Sequence, residues 1–470
     1  MSSTKAITSA SVAPYAYTRR DFLKEVGKAT LFTGAMSALP FITAEKANAT
    51  PLEPLTNIAN RRNNDPWVLV RKPGTKVRPL VIIFLSGGPN QKIFDPKPLA
   101  PENFRGLYET INTATPGLQL SEVLPKTASN IDSFRLIRCM QARNLDHAQG
   151  AALSTTGNHR VVGSNPVDQR AEPVHDAGHI KLAEHYFRRT LGCVLLNSFD
   201  LEPLGGIQPR HRAVSYVQYD ATNNYIYPSP IRPGNNPERA REVLRLRNAF
   251  ESGSNPDVYG APGRNMDEIY ANVENILGEN FPRAFNSDVP EVVRKQIGYG
   301  PLANAAIVAS NLIQAGAPLV AIDSGNWDTH QNEISIIKDD VNYRINGETV
   351  RGPGLGFALD NAINYLRENV GDRAVIGAFG EFGRTPMVTG RAGTDHGTVY
   401  SMLVTGAGVS PGVTGETDPR GERIISREIY NEETALETLL NLAGYMRVKL
   451  IGNSVIPPNP ERFPTQSWIN

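Results

Sequence analysis

The sequence predicts an α/β domain with a largely parallel sheet covered by helices on both faces. Three observations carry this. Apolar runs of strand length recur, segments with one apolar helical face alternate with them, and polar loops begin abruptly where the apolar runs end. The 470 residues suit one large domain of this kind.

Residues 79–85 (Pro-Leu-Val-Ile-Ile-Phe-Leu) form the first run, which Ser86-Gly87-Gly88-Pro89 closes. Such an unbroken apolar stretch is what a strand buried on both faces requires. Residues 134–140 and 193–196 are similar runs and carry the two cysteines, Cys139 and Cys193, which read as buried thiols more readily than as a disulfide. Leu302, Ala305, Ala306, Ala309, Leu312 and Ile313 repeat at helical spacing until Gly316 and Pro318 stop the helix. A short strand over 319–322 follows and ends at Asp323. Leu355, Leu359, Ala362, Ile363, Leu366 and Val370 line another helix, and the strand after it, 374–379, runs into Gly380-Glu381-Phe382-Gly383-Arg384-Thr385-Pro386. Residues 399–404 read as a strand. Residues 432–443 read as a closing helix with Asn431 as N-cap and Gly444 as its stop. Residues 50–77 form a Pro-rich arm, and about 224–300 a helical insertion, including a helix opened by Pro237 and another marked by Met266 to Leu277.

Residues 1–49 read as an address. Arg19-Arg20 precedes Phe22-Leu23-Lys24, an apolar stretch too short to span a bilayer follows, and Ala47-Asn48-Ala49 has the form of a cleavage site. The pattern resembles a twin-arginine (Tat) export signal and places the rest of the chain in the periplasm or outside the cell. With 48 basic and 47 acidic residues the formal charge is +1, which disfavours general nucleic-acid binding, and no membrane span is expected.

In α/β sheets ligands bind at the carboxyl ends of strands. The residues that follow the predicted strands are Ser86, Asn90, Gln91 and Asp95; Arg143, Asn144, Asp146 and His147; Asp323, Asn326, Asp328 and His330; and Glu381, Arg384, Arg391, Asp395 and His396. Two Asp/His pairs from different loops, Asp328 with His330 and Asp395 with His396, offer a ligand set for a divalent cation such as zinc, manganese or calcium, or else a network in which carboxylates orient imidazoles. Glu381 reads as ligand or base and Arg384 as an anion grip, or the two as an ion pair fixing their loop. His175 and His179 share a helix face if their segment is helical, while His159, His185 and His211 lack partners in sequence. There is no G-x-S-x-G elbow, no P-loop and no zinc-type cysteine cluster.

The strings Phe84-Leu85-Ser86-Gly87-Gly88-Pro89, Asn326-Trp327-Asp328-Thr329-His330, Gly380-Glu381-Phe382-Gly383-Arg384-Thr385-Pro386 and Asp395-His396 closely resemble domain-of-unknown-function family 1501 over about residues 78–445. That family is similar to the alkaline phosphatase/sulfatase superfamily. The resemblance implies a three-layer α/β/α sandwich with metal-binding Asp and His residues after the strands. By that analogy Asp328 and His330 match one ligand group and His396 a late ligand. The expected metal ligands are then Asp328, His330, Asp395, His396 and Asp95, and the expected catalytic residues Glu381, Arg384 and His147. The departures are Ser86-Gly87 where the superfamily carries a metal-binding Asp, Phe382 where it has a ligand, and no evident nucleophile at the usual helix start. The expectation is metal-assisted hydrolysis of a phosphate or sulfate ester, on a small anionic molecule or a polysaccharide, with water as nucleophile. The alternative is a catalytically degenerate module that binds another exported protein.

Overall fold

The computed structural model describes residues 67–71, 75–156, 193–197, 218–220, 225–227, 284, 286–317, 319–345, 348–451 and 454–456. The stretch expected to be an export signal, most of the arm and insertion, and His159, His175, His179, His185 and His211 lie outside the described residues.

A seven-stranded sheet forms the centre. Its strands are β1 (Leu80–Phe84), β2 (Phe134–Gln141), β3 (Cys193–Leu196), β4 (Leu319–Asp323), β5 (Val375–Phe379), β6 (Val399–Gly406) and β7 (Gly412–Thr414), in the order β7-β2-β6-β5-β1-β4-β3. Only β6 opposes the other six, so the sheet is mixed rather than wholly parallel. The four loops that follow β1, β2, β4 and β5 therefore open on one edge, and β6 starts from that same edge.

The period-two alternation of β1 feeds two cores. Val81 and Ile83 pack with Ile307, Leu312, Leu359 and Ile363, from the helices α2 (Pro301–Gln314) and α3 (Leu355–Val370). Leu80, Ile82 and Phe84 pack on the opposite face with Ala151 of α1 (His147–Thr156) and with Leu436 and Leu439 of α4 (Glu432–Leu442). Helices on both faces of one sheet make the three-layer α/β/α sandwich that the sequence predicts. Asn431 caps α4 as expected, its side chain accepting from Thr434 N at 3.1 Å.

Differences from the sequence reading are local. Within the expected arm, Trp67–Arg71 is a strand paired antiparallel with Tyr445–Ile451. Within the expected helical insertion, Tyr225–Tyr227 is a strand beside Val341–Ile345, while Glu291–Ile297 is helical. Cys139 is a buried free thiol on β2, and burial pushes its pKa to about 12. Cys193 stands on β3, five strand spacings away, roughly 24 Å and far beyond disulfide reach. No helix among the described residues is long and apolar enough to cross a membrane.

Candidate metal centre

The carboxyl edge of the sheet brings together most of the residues singled out in the sequence. The loop after β4 delivers Asp328 and His330. Trp327, fully buried, anchors it: its indole donates to Ser324 Oγ at 3.0 Å and its backbone N–H to Ser86 O at 3.0 Å. Gly87 has to be glycine, because its φ is +112° and a β-carbon there would lie 2.2 Å from Asp328 N. The loop after β5 carries Glu381, Phe382 and Arg384, and a two-residue ribbon pairs Arg384 with His396. His147 begins α1, the helix that follows β2.

Asp328 Oδ1 is the point of convergence. His330 Nε2 lies 3.1 Å from it, His147 Nε2 3.4 Å and His396 Nε2 3.5 Å. His330 Nε2 is also 3.1 Å from His396 Nε2. His147, Asp328 and His396 each offer a ligand atom within 4.8 Å of the others.

The far side of each ring decides its tautomer. His147 Nδ1 meets Glu381 Oε1 at 2.8 Å, His330 Nδ1 meets Asp395 Oδ1 at 2.9 Å, and His396 Nδ1 meets Leu145 O at 2.6 Å. Carboxylates and carbonyls accept, so the geometry assigns a proton to each Nδ1 and turns each Nε2 toward Asp328, where a ring with no second proton presents a lone pair. Three lone pairs and a carboxylate oxygen at these separations repel one another unless positive charge sits among them. In the protein alone a proton supplies it: hydrogen bonds to Asp328 and Glu381 raise His147 to a pKa of about 9, against the opposing effect of burial. Burial by itself would raise the Asp328 pKa, but hydrogen bonds from His147 and Arg384, and the Arg384 charge, hold it well below the usual carboxylate range. Burial lowers the pKa of His396, and the charges of Arg384 and His147 add to that.

Arg384, expected as an anion grip, is buried and turns four of its five N–H donors inward. Nε donates to Gly88 O at 3.0 Å, Nη1 to Thr394 O at 3.1 Å, and Nη2 to Gly87 O and Asp328 Oδ1. It braces Asp328 and does not pair with Glu381. Glu381 is buried, and its Oε1 accepts from both Gly87 N, at 2.8 Å, and His147. Asp395 likewise meets the cluster through an Nδ1. Asp95, expected as a ligand, makes its contacts elsewhere, with Arg138 at 3.0 Å, Lys97 at 3.1 Å and the Thr417 hydroxyl at 2.5 Å. Phe382, a departure from the superfamily pattern, is the apolar wall of the centre, its ring centroid 4.5 Å from that of His396 and 5.0 Å from that of His147.

Glu333 went unnoticed in the sequence. It is fully buried and accepts from Asn90, Tyr108 and Thr394. No local signal marks it, since its stretch reads as an ordinary helix start.

A family model described as "Protein of unknown function (DUF1501)" matches residues 77–171 and 212–452. None of the curated proteins compared matches the chain. Among solved structures, the chain is similar to the phosphonate monoester hydrolase of Agrobacterium radiobacter, at 12% identity and a TM-score of 0.31 over 83% of this chain and 79% of the other. It is also similar to the soluble domain of lipooligosaccharide phosphoethanolamine transferase A from Neisseria meningitidis (9%, TM-score 0.32, 83% and 93%). A third is the PH0037 protein from Pyrococcus horikoshii (10%, TM-score 0.33, 78% and 97%). At these scores the superpositions are loose.

Proposed function

The chain belongs to the DUF1501 family, and we propose that the centre at its sheet edge binds a divalent cation and hydrolyses phosphate or sulfate esters in a protein exported by the twin-arginine route. One observation carries the reading. Three Nε2 atoms point at one carboxylate oxygen while every Nδ1 is tied to an acceptor, as in sites where an oxygen behind each ligating histidine fixes its tautomer. The charges fit one divalent ion: the carboxylates of Asp328, Glu381 and Asp395 against the guanidinium of Arg384 leave two negative charges to neutralise.

His147, His330, His396 and Asp328 would hold the cation. Three nitrogens and one oxygen suit zinc or manganese, whereas calcium favours an all-oxygen set. When bound, such an ion supplies Lewis-acid charge for the anionic oxygens of an ester. The chain's own residues do the rest. Glu381 and Asp395 keep the Nδ1 protons in place, Arg384 fixes Asp328, and Phe382 excludes water from one side of His147 and His396. Among the described residues no serine, threonine or cysteine side chain hydrogen-bonds to the three histidines or to Asp328, so the reaction in this reading uses water.

The test is turnover on a panel of phosphate and sulfate esters, with and without added zinc or manganese, beside Asp328→Ala. Metal-dependent turnover that the variant loses supports hydrolysis. A second reading, a centre kept for binding another exported protein, draws on the burial of Arg384, whose guanidinium spends four of its five N–H donors inside the protein rather than on a substrate anion. A protein that holds metal and turns over no ester of the panel favours it.

A further inference from the structure

We propose that Glu333 is a positioning residue for the centre, setting the separation between the loop of Asp328 and His330 and the loop of Asp395 and His396; the inference rests on the cation-binding reading above. Glu333 Oε1 accepts from Asn90 Nδ2 at 2.7 Å and from Tyr108 Oη at 2.5 Å, and its Oε2 accepts from Thr394 Oγ1 at 2.8 Å. Glu333 lies three residues beyond His330, and Thr394 lies two before His396. Asn90 belongs to the loop whose Gly87 and Gly88 carbonyls hold Arg384. One carboxyl group therefore joins the three loops that place Asp328, His330, Arg384 and His396. No lysine, arginine or histidine among the described residues pairs with it.

The backbone around it is locked in the same sense. Asn332 N donates to Arg391 O at 3.2 Å, Glu333 N to Ala392 O at 3.0 Å, and Thr394 N to Thr329 O at 3.0 Å. Asn332 and Ala392 both sit in the left-handed region, at φ 52° and 54°, a conformation that Ala adopts only when its surroundings impose it. A β-carbon at Gly393 would lie 2.3 Å from the His330 carbonyl carbon, so the two loops cross in direct backbone contact. Glu333 clamps that crossing from inside. The 3.1 Å approach of His330 Nε2 to His396 Nε2 is the spacing it maintains.

The experiment titrates Co²⁺ into the full-length protein, follows its d–d absorption, and measures the denaturant midpoint of the metal-free protein in parallel. Glu333→Ala is expected to bind Co²⁺ about 10-fold more weakly, the lower end of the range for groups bonded directly to ligands because Glu333 acts one contact further out, with an altered d–d spectrum. Glu333→Gln still accepts from Asn90 and Tyr108 while the Thr394 hydroxyl reverses to accept, so it recovers most of the affinity. Asp360→Asn is the control for a purely structural role. Asp360 is a buried carboxylate elsewhere, accepting from Lys126 N and Thr127 N at 2.8 Å each, and its variant is expected to lose stability at unchanged Co²⁺ affinity. If Glu333→Ala does not fold, Thr394→Val removes only the Oε2 contact and is expected to weaken binding by a smaller factor. Wild-type affinity and spectrum in the variants would overturn the role of Glu333 and leave the cation reading standing. A wild-type protein that takes up no Co²⁺ would overturn the cation reading itself.

Discussion

Replacing Arg384 by methionine probes how the centre is braced. The side chain is 0% exposed, and its guanidinium serves the carbonyls of Gly87, Gly88 and Thr394 as well as Asp328. Methionine fills much of the volume and donates nothing. A buried acceptor stripped of its partner costs about 1–3 kcal/mol. Asp328 is 43% exposed, so water takes over much of the ion pair and that contribution is discounted heavily. The three carbonyls then dominate, and the loss comes to about 3–9 kcal/mol, a large part of the roughly 5–15 kcal/mol that holds a whole domain. Arg384→Lys keeps a charge but cannot reach all four oxygens, and should fall between wild type and methionine. Guanidinium unfolding reports the difference, with Trp327 on the neighbouring loop as a fluorescent probe. A loss below about 1 kcal/mol for the methionine variant would refute the bracing role.

Other predictions follow from the same geometry. In the metal-free protein His147 titrates near 9 against about 6.5 when unfolded, so its contribution is complete below about pH 6.5 and disappears as pH rises through 9. Denaturation midpoints at pH 6, 7.5 and 9.5 should fall in that order, and His147→Gln should flatten the upper part. Asp328, held low, contributes above about pH 3.8 and loses its contribution as pH falls below that value. Phe382→Ala should cost about 3–5 kcal/mol in the same unfolding assay, because a fully buried aromatic wall is deleted. Cys139 should resist a thiol reagent in the native protein and react only once the chain is unfolded, as read by mass spectrometry of the labelled peptide.

The fold and much of the centre were readable because the apolar runs stop abruptly. Residues 79–85 and 374–379 carry no polar side chain and then give way to Ser86-Gly87-Gly88 and to Gly380-Glu381, and that break marks the edge on which Asp328, His330, Asp395 and His396 meet. What stayed hidden depends on partners remote in the chain. Arg384 looks like an anion grip until its acceptors at Gly87 and Gly88, almost three hundred residues earlier, are in view. Asp395 and Glu381 are the same residue types as ligands, and only the folded chain shows that they address Nδ1 atoms. Helix α1 was missed because its ten residues, His-Ala-Gln-Gly-Ala-Ala-Leu-Ser-Thr-Thr, carry almost no amphipathic pattern. Glu333 gave no sign at all, since a buried acid that serves three distant loops leaves no local periodicity.

The most direct measurement of the cation centre is metal content per chain, by elemental analysis of wild-type protein loaded with zinc or manganese and freed of excess ion, beside Asp328→Ala and His396→Ala. One divalent ion per wild-type chain and none in either variant is the predicted result. A wild-type chain that retains no ion, or variants that retain as much as it does, would contradict a metal centre at this edge of the sheet.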